Sequence, residues 1–275
     1  VIRYGDRWDN AAFDGRVIRV GEGDIFPPFW KSPDIFYHEW GHYFTQETCN
    51  LVYSGQAGGN NEHGSDWLAA VTEQWLKGQT AAEASWLIGA GLFAEGLRGR
   101  GLRDMLHPGT AYDDPVIGHD GQIQTAEEYR VGMDVHDSSA VGNRAFASAC
   151  LALGGKSWET LAPVWFDVWT RYLDSRSDFA ALARATVTVA TERYGVSSRE
   201  RSAILAGWDL VKVPISGGSD PTPKPPASDP SDCFADFAAL LNDAEARTAL
   251  RSLLATPSAR RLLVRARAFS IKGVR

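Results

Sequence analysis

His38-Glu39-Trp40-Gly41-His42 decides how this chain is read, together with Asn60-Asn61-Glu62-His63-Gly64-Ser65-Asp66 a short distance further on. On a helix, His38 and His42 fall one turn apart on one face, so both imidazoles reach a single ion while Glu39 leans toward its water. Glu62, twenty positions past His42, supplies a third ligand. Three protein ligands leave a fourth coordination position open, the arrangement of a catalytic rather than a structural zinc. A ligating imidazole donates its remaining N–H to a carboxylate or amide oxygen, and Asp66 and Asn61 are placed to serve His38 and His42. The first motif alone also arises by chance on a solvated helix face. The second segment separates the two cases, because it meets the remaining needs of the site within a few residues.

Composition sets the frame. A chain of 275 residues, 44% hydrophobic and 11% aromatic, buries a large core and reads as one principal globular domain with an appendage. Its formal net charge of -6 gives no reason to expect a nucleic-acid partner. No apolar run approaches the ~20 residues that span a bilayer. The sequence starts at Val1 with neither Met nor a signal peptide, as a processed or trimmed product would. Cys49, Cys150 and Cys233 permit at most one internal disulfide, and their pairing stays open.

Strand-like sequence is confined to the start. Residues 1–4 and 16–20 are short runs on either side of an Asp14-Gly15 turn signal and are expected to form an antiparallel pair. Ser32-Pro33-Asp34 then supplies a cap, a first-turn proline and an acid for the helix N-terminus, so the first motif lies on a helix over 33–49. Gly41 inside it costs ~1 kcal/mol relative to Ala and hints that another backbone passes close. A second ligand helix covers 61–77 and stops at Gly78. Residues 96–135 are rich in Gly, Asp and Pro and read as irregular loops near the cleft. Helices follow over 139–153, closed by Gly154-Gly155, over 158–173 with Pro163 inside, and over 178–194. Ser197 with Glu200 has capping-box spacing before a last helix to Leu210.

The order of these motifs resembles the thermolysin family of zinc endopeptidases. The likeness rests on His38-Glu39-x-x-His42, then Asn61-Glu62-x-x-Ser65-Asp66, then Val135-His136-Asp137-Ser138-Ser139 before a helix ending Gly-Gly, and it covers roughly residues 1–213. Aminopeptidase relatives place the glutamate one position closer to the second His, and metzincins use a third His instead. The resemblance implies an α+β, predominantly α-helical fold. Residues 1–33 would be a strongly reduced N-terminal β region, 34–215 the catalytic domain, 216–232 a Pro/Gly/Ser-rich linker and 233–275 a C-terminal helical tail.

It also implies roles. Zinc on His38, His42 and Glu62 lowers the pKa of its water toward ~7, and Glu39 takes the proton and delivers it to the leaving amine. Tyr53 and His136 match the pair that stabilises the oxyanion, where each donor contributes ~3–4 kcal/mol. Arg103 matches an arginine that binds a substrate carbonyl, although Arg98 and Arg100 nearby fit a solvated basic loop as well. Asn10 and Ala11 match an edge strand that pairs with the substrate backbone. Ile35, Ile88, Leu92 and Leu102 resemble the apolar pocket for the residue after the scissile bond, and their chemistry suits core positions equally. His63, His107 and His119 receive no role.

Departures from the family are visible too. Asp34 and Glu73 match its paired calcium site, but Ser85, Leu87, Ala90 and Gly91 stand where other acids would be, so that site is expected to be absent. Val131 occupies the register of the acid that supports the catalytic His, and Asp134 takes its place only if the loop is rearranged. The basic tail helix, with Arg260, Arg261, Arg265 and Arg267, either packs on its own domain or docks on an acidic partner or membrane surface. The expectation is an exported, zinc-dependent endopeptidase acting on peptide or protein substrates. The alternatives are a catalytically silent zinc-stabilised module and an aminopeptidase.

Overall fold

The computed structural model describes residues 2–5, 7–93, 96–216 and 221–224, all within one compact unit. The chain opens with β1 (Ile2–Arg3), β2 (Ala11–Phe13) and β3 (Ile18–Val20), in the order β1-β3-β2. The expected antiparallel partnership of the first and last of these is wrong. β1 pairs with β3 in parallel, Ile2 opposite Arg19, and the antiparallel partner of β3 is β2, with Phe13 opposite Ile18. Asp14 explains the difference: its Oδ1 accepts the N–H groups of Arg16 and Val17, closing a turn so tight that it returns the chain onto the strand just before it.

α1 (Pro33–Glu47) starts at the predicted proline and ends before Cys49. Ser32 stands at the cap position without capping. Its hydroxyl donates to Asp34 and accepts the Gly91 N–H at 3.2 Å. α2 (Gly55–Lys77) closes as predicted on Gly78, in left-handed conformation at φ 70°, but begins at Gly55 instead of Asn61. The two helices approach closely at Gly41, where an added Cβ would lie 2.5 Å from Ser65 Cα. A glycine here is a packing requirement.

Two short pairs interrupt the irregular stretch that follows: β4 (Leu87–Ile88) with β5 (Arg103–Asp104), and β6 (Asp113–Asp114) with β7 (Gly118–His119). α3 (Val135–Ser138) leads directly into α4 (Ala140–Leu153), which ends on Gly154. α5 (Ala162–Arg171) is shorter than predicted. Residues 157–161 form turns, so Pro163 sits in the first helical turn, where its missing N–H leaves no hydrogen bond broken. α6 (Phe179–Tyr194) is capped by Asp178, which accepts the Ala181 N–H at 2.7 Å. α7 (Arg199–Leu210) is capped by Ser198, one residue later than predicted, through the Arg201 N–H.

α2 is the central element, buried without interruption from Ala57 to Val71. Trp67, Trp165, Trp169, Phe44 and Phe146 fill the space around it, and Trp165 stacks on Trp208 with ring centroids 6.5 Å apart. The result is the predominantly helical α+β fold expected, but strands are not confined to the N-terminal edge: two short pairs lie between α2 and α3, where the sequence read as loop. Cys49 and Cys150 are buried free thiols. Cys233, the segments expected as tail helices and most of the expected linker lie outside the described residues. Among the described residues no helix is long and apolar enough to cross a membrane.

Replacing Gly41 with alanine tests the α1–α2 contact. An unobstructed helix position gains up to ~1 kcal/mol from Gly→Ala. Here the overpacked backbone contact is expected to cost about 1–3 kcal/mol in urea unfolding, and a gain in stability contradicts the close approach.

Candidate metal centre

Helical register brings the ligand atoms together. His38 and His42 project from one face of α1, and Glu62 faces them from α2; these three form the cluster of metal-type ligands found among the described residues. His38 Nε2 and His42 Nε2 lie 3.1 Å apart, and Glu62 oxygens lie 3.3 Å from the first and 3.4 Å from the second. Ligands ~2.0–2.1 Å from a tetrahedral zinc are separated by about 3.3–3.4 Å.

Hydrogen bonds on the far side of each ring fix which nitrogen faces the centre. Asp66 Oδ1 accepts from His38 Nδ1 at 2.7 Å. Asn61 donates its amide to the Leu51 carbonyl, which turns its Oδ1 toward His42 Nδ1 at 2.8 Å. Both Nδ1 atoms therefore carry the proton, and both Nε2 lone pairs converge on a carboxylate whose Oε2 is buried without a hydrogen-bond donor. Three electron-rich atoms at this spacing repel one another unless a cation lies between them, so the donor set fits zinc. The electrostatics show the same pull on positive charge. Burial opposes charge on His38, but Asp66 and Glu62 outweigh it and raise its pKa to about 10. Glu62 in turn stays well below the carboxylate range despite complete burial, because His42, His38 and His136 surround it.

Asp66 is the hub beneath the centre. It is fully buried and accepts Arg103 Nε and Nη2 at 2.8 and 2.7 Å, and Asn143 Nδ2 at 2.7 Å. Burial works against its charge, and Arg103 and His38 overcome this and hold it low. Arg103 itself is 8% exposed, which removes the solvated-loop alternative.

Above the centre, Tyr53 donates its hydroxyl to Glu62 Oε1 and lies 3.3 Å from His136 Nε2. Burial and the Glu62 charge push the phenol pKa upward, so Tyr53 keeps its proton and remains a donor. Val131, in the register of the missing acid, is almost wholly exposed. Asp134 fills the place: one oxygen accepts both the backbone N–H and Nδ1 of His136, each at 2.8 Å. Gln122, which spacing did not flag, adds a bond from its Nε2 to the His136 carbonyl at 2.9 Å.

These groups line a cleft of about 460 Å³. Glu39, Tyr53, His136 and Arg103 border it, with Ile35 and Leu102; β2 contributes Ala11, and Asn10 stands just before that strand. β2 is an outer strand of its sheet. The Ala11 N–H is engaged by Asn10 Oδ1, and the Asn10 carbonyl by the Gly21 N–H. Ile88 and Leu92 do not reach the cleft. Both are fully buried core residues, a correction to the predicted pocket that their ordinary apolar chemistry could not reveal. Asp34 is engaged by the Gly89 N–H and Ser32, and Glu73 pairs with Lys77 at 2.6 Å. His63, given no role from spacing, is buried between Asn143 and Trp165.

Two histidines one turn apart and a carboxylate from a crossing helix make the kind of centre on which zinc peptidases are built, and comparison with known proteins agrees. Residues 49–213 match the model of the thermolysin metallopeptidase α-helical domain. An extracellular metalloprotease of Pectobacterium carotovorum subsp. carotovorum is 38% identical over 221 residues, 78% of this chain and 63% of that protein. Protease PrtS of Photorhabdus sp. (strain Az29) is 31% identical over 223 residues, 78% of this chain and 60% of that one. The solved precursor of protealysin, a metalloproteinase from Serratia proteamaculans, aligns with a TM-score of 0.73 at 39% identity, over 77% of this chain and 67% of that one. The chain belongs to the thermolysin family of metallopeptidases. It spans about three fifths of the length of these two curated relatives.

Asn61→Ala removes the acceptor that orients His42 and is expected to weaken zinc binding about 10- to 100-fold. Competition against a chelator of known affinity measures this; an unchanged dissociation constant means the amide does not set the ring.

Proposed function

We propose that this chain is a zinc-dependent endopeptidase, with His38, His42 and Glu62 as ligands of one ion. The convergence of two imidazole lone pairs and a buried, donorless carboxylate oxygen on one point, beside Glu39 in an open cleft, carries this reading. Bound there, zinc supplies a Lewis acid that polarises a carbonyl and lowers the pKa of water.

The chain's own groups do the rest. Glu39 takes the proton of the attacking water and passes it to the departing amine. Tyr53 and His136 donate to the oxygen that becomes negative. Asp134 accepts the His136 Nδ1–H and fixes the ring with Nε2 toward that oxygen, to which the doubly protonated imidazole donates. An extended peptide lies along β2, meeting the side chain of Asn10 and the strand edge at Ala11. Arg103, anchored on Asp66, presents its remaining donors to a substrate carbonyl. Ile35 and Leu102 form an apolar wall for the side chain after the scissile bond. The names of the relatives speak of extracellular proteases, and export is part of the same proposal, as is the division into an N-terminal β edge, a catalytic domain over 34–215, a linker and a tail.

Casein or a quenched peptide tests the chemistry. Cleavage is expected to stop with 1,10-phenanthroline, and to fall about 10²–10⁴-fold in Glu39→Gln with zinc retained. Zinc uptake without any cleavage by the wild-type chain supports the silent module instead, and failure on peptides with a blocked amino terminus supports an aminopeptidase. For the apolar wall, a substrate with Leu after the cleaved bond is expected to exceed its Gly counterpart in kcat/KM by about tenfold or more, since burying such a side chain contributes ~1.5–3 kcal/mol. Equal rates remove the pocket assignment.

A further inference from the structure

The cluster behind the metal centre has a direction built into it. Trp165 Nε1–H can only donate, and it points at His63 Nε2 from 2.9 Å. That nitrogen must therefore offer its lone pair, which places the single ring proton on Nδ1. Nδ1–H faces Asn143 Oδ1 at 2.8 Å, so the Asn143 carboxamide turns its nitrogen the other way, onto Asp66 Oδ2 at 2.7 Å. The opposite amide orientation sets donor against donor at His63 and oxygen against carboxylate at Asp66. Both ends exclude it.

With Asn143 and two Arg103 donors in place, Asp66 has one strong acceptor direction left, and His38 Nδ1–H fills it. His38 Nε2 is thereby committed to the metal side. The surroundings leave the imidazole no slack: His63 and Asn143 are both fully buried, and a Cβ on Gly142 would lie 2.5 Å from the His63 ring.

We propose that His63 is a positioning residue. The one-way chain Trp165–His63–Asn143 locks the Asp66 carboxylate, and through it the ring of the zinc ligand His38. This rests on the zinc reading of the same site, but it concerns residues that touch neither metal nor substrate.

The prediction is a contrast between two substitutions of similar bulk. Gln at position 63 can accept from Trp165 and donate to Asn143, preserving the direction, whereas Met can do neither. His63→Gln is expected to hold zinc within about threefold of wild type in chelator competition, and His63→Met to lose about tenfold or more. Trp165→Phe, which keeps a ring but deletes the donor, should fall between them. Nitrogen-15 NMR of the wild-type imidazoles is expected to show the proton on Nδ1 of both His63 and His38.

Thermal unfolding of all variants separates general loosening from the specific effect. If the Gln and Met variants lose stability and zinc affinity equally, or if His63 carries its proton on Nε2, the relay is wrong. A wild-type chain that binds zinc but cleaves nothing overturns the peptidase function and leaves the relay standing; one that binds no zinc overturns both.

Discussion

A negative charge with no access to water lies at the centre of this fold. Asp66 sits on the most deeply buried helix, where an unpaired carboxylate would be costly enough to stay protonated or unfold its surroundings. Four hydrogen bonds from Arg103, His38 and Asn143 make it tolerable. Those donors come from β5, α1 and α4, so satisfying one side chain requires three separate parts of the chain to be correctly placed. The carboxylate is a poor source of net stability and a strong source of specificity.

Packing works to the same end. α2 carries an unusual load of buried polar groups, and its apolar complement is supplied by tryptophans from α5 and by Phe146 from α4. Close contact at Gly41 and Ser65 holds α1 against it at a separation that sets the imidazoles within reach of Glu62. A shift of either helix by a fraction of an ångström would alter ligand spacings that now suit a tetrahedral ion.

The meeting of His38, His42 and Glu62 was legible because helical periodicity and local spacing carry it: the histidines stand four positions apart, as do Glu62 and Asp66. The start of α2 was not, because Gly55, Gly58 and Gly59 read as loop. Side chains of α3 override that preference, Val135 lying against Gly58 and Ser138 against Gly59. The pairing of β1 was misread because a turn signal identifies a reversal without naming both strands. His63 was invisible for a different reason: its partners lie 80 and 102 positions away, and no periodicity spans such separations. Ile88 and Leu92 show the remaining limit, since an apolar residue has the same chemistry in a pocket wall as in a core.

Asp134 holds His136 from only two positions away, and the same oxygen caps the short helix on which the imidazole rides. Ring orientation and helix initiation thus form one self-contained local motif. The segment before it is thereby relieved of any duty to deliver a supporting acid from a distance. A change of length confined to residues 130–133, beyond the bond from Gln122, would not turn the imidazole, so these few positions are free in chemistry while the geometry they border stays constant.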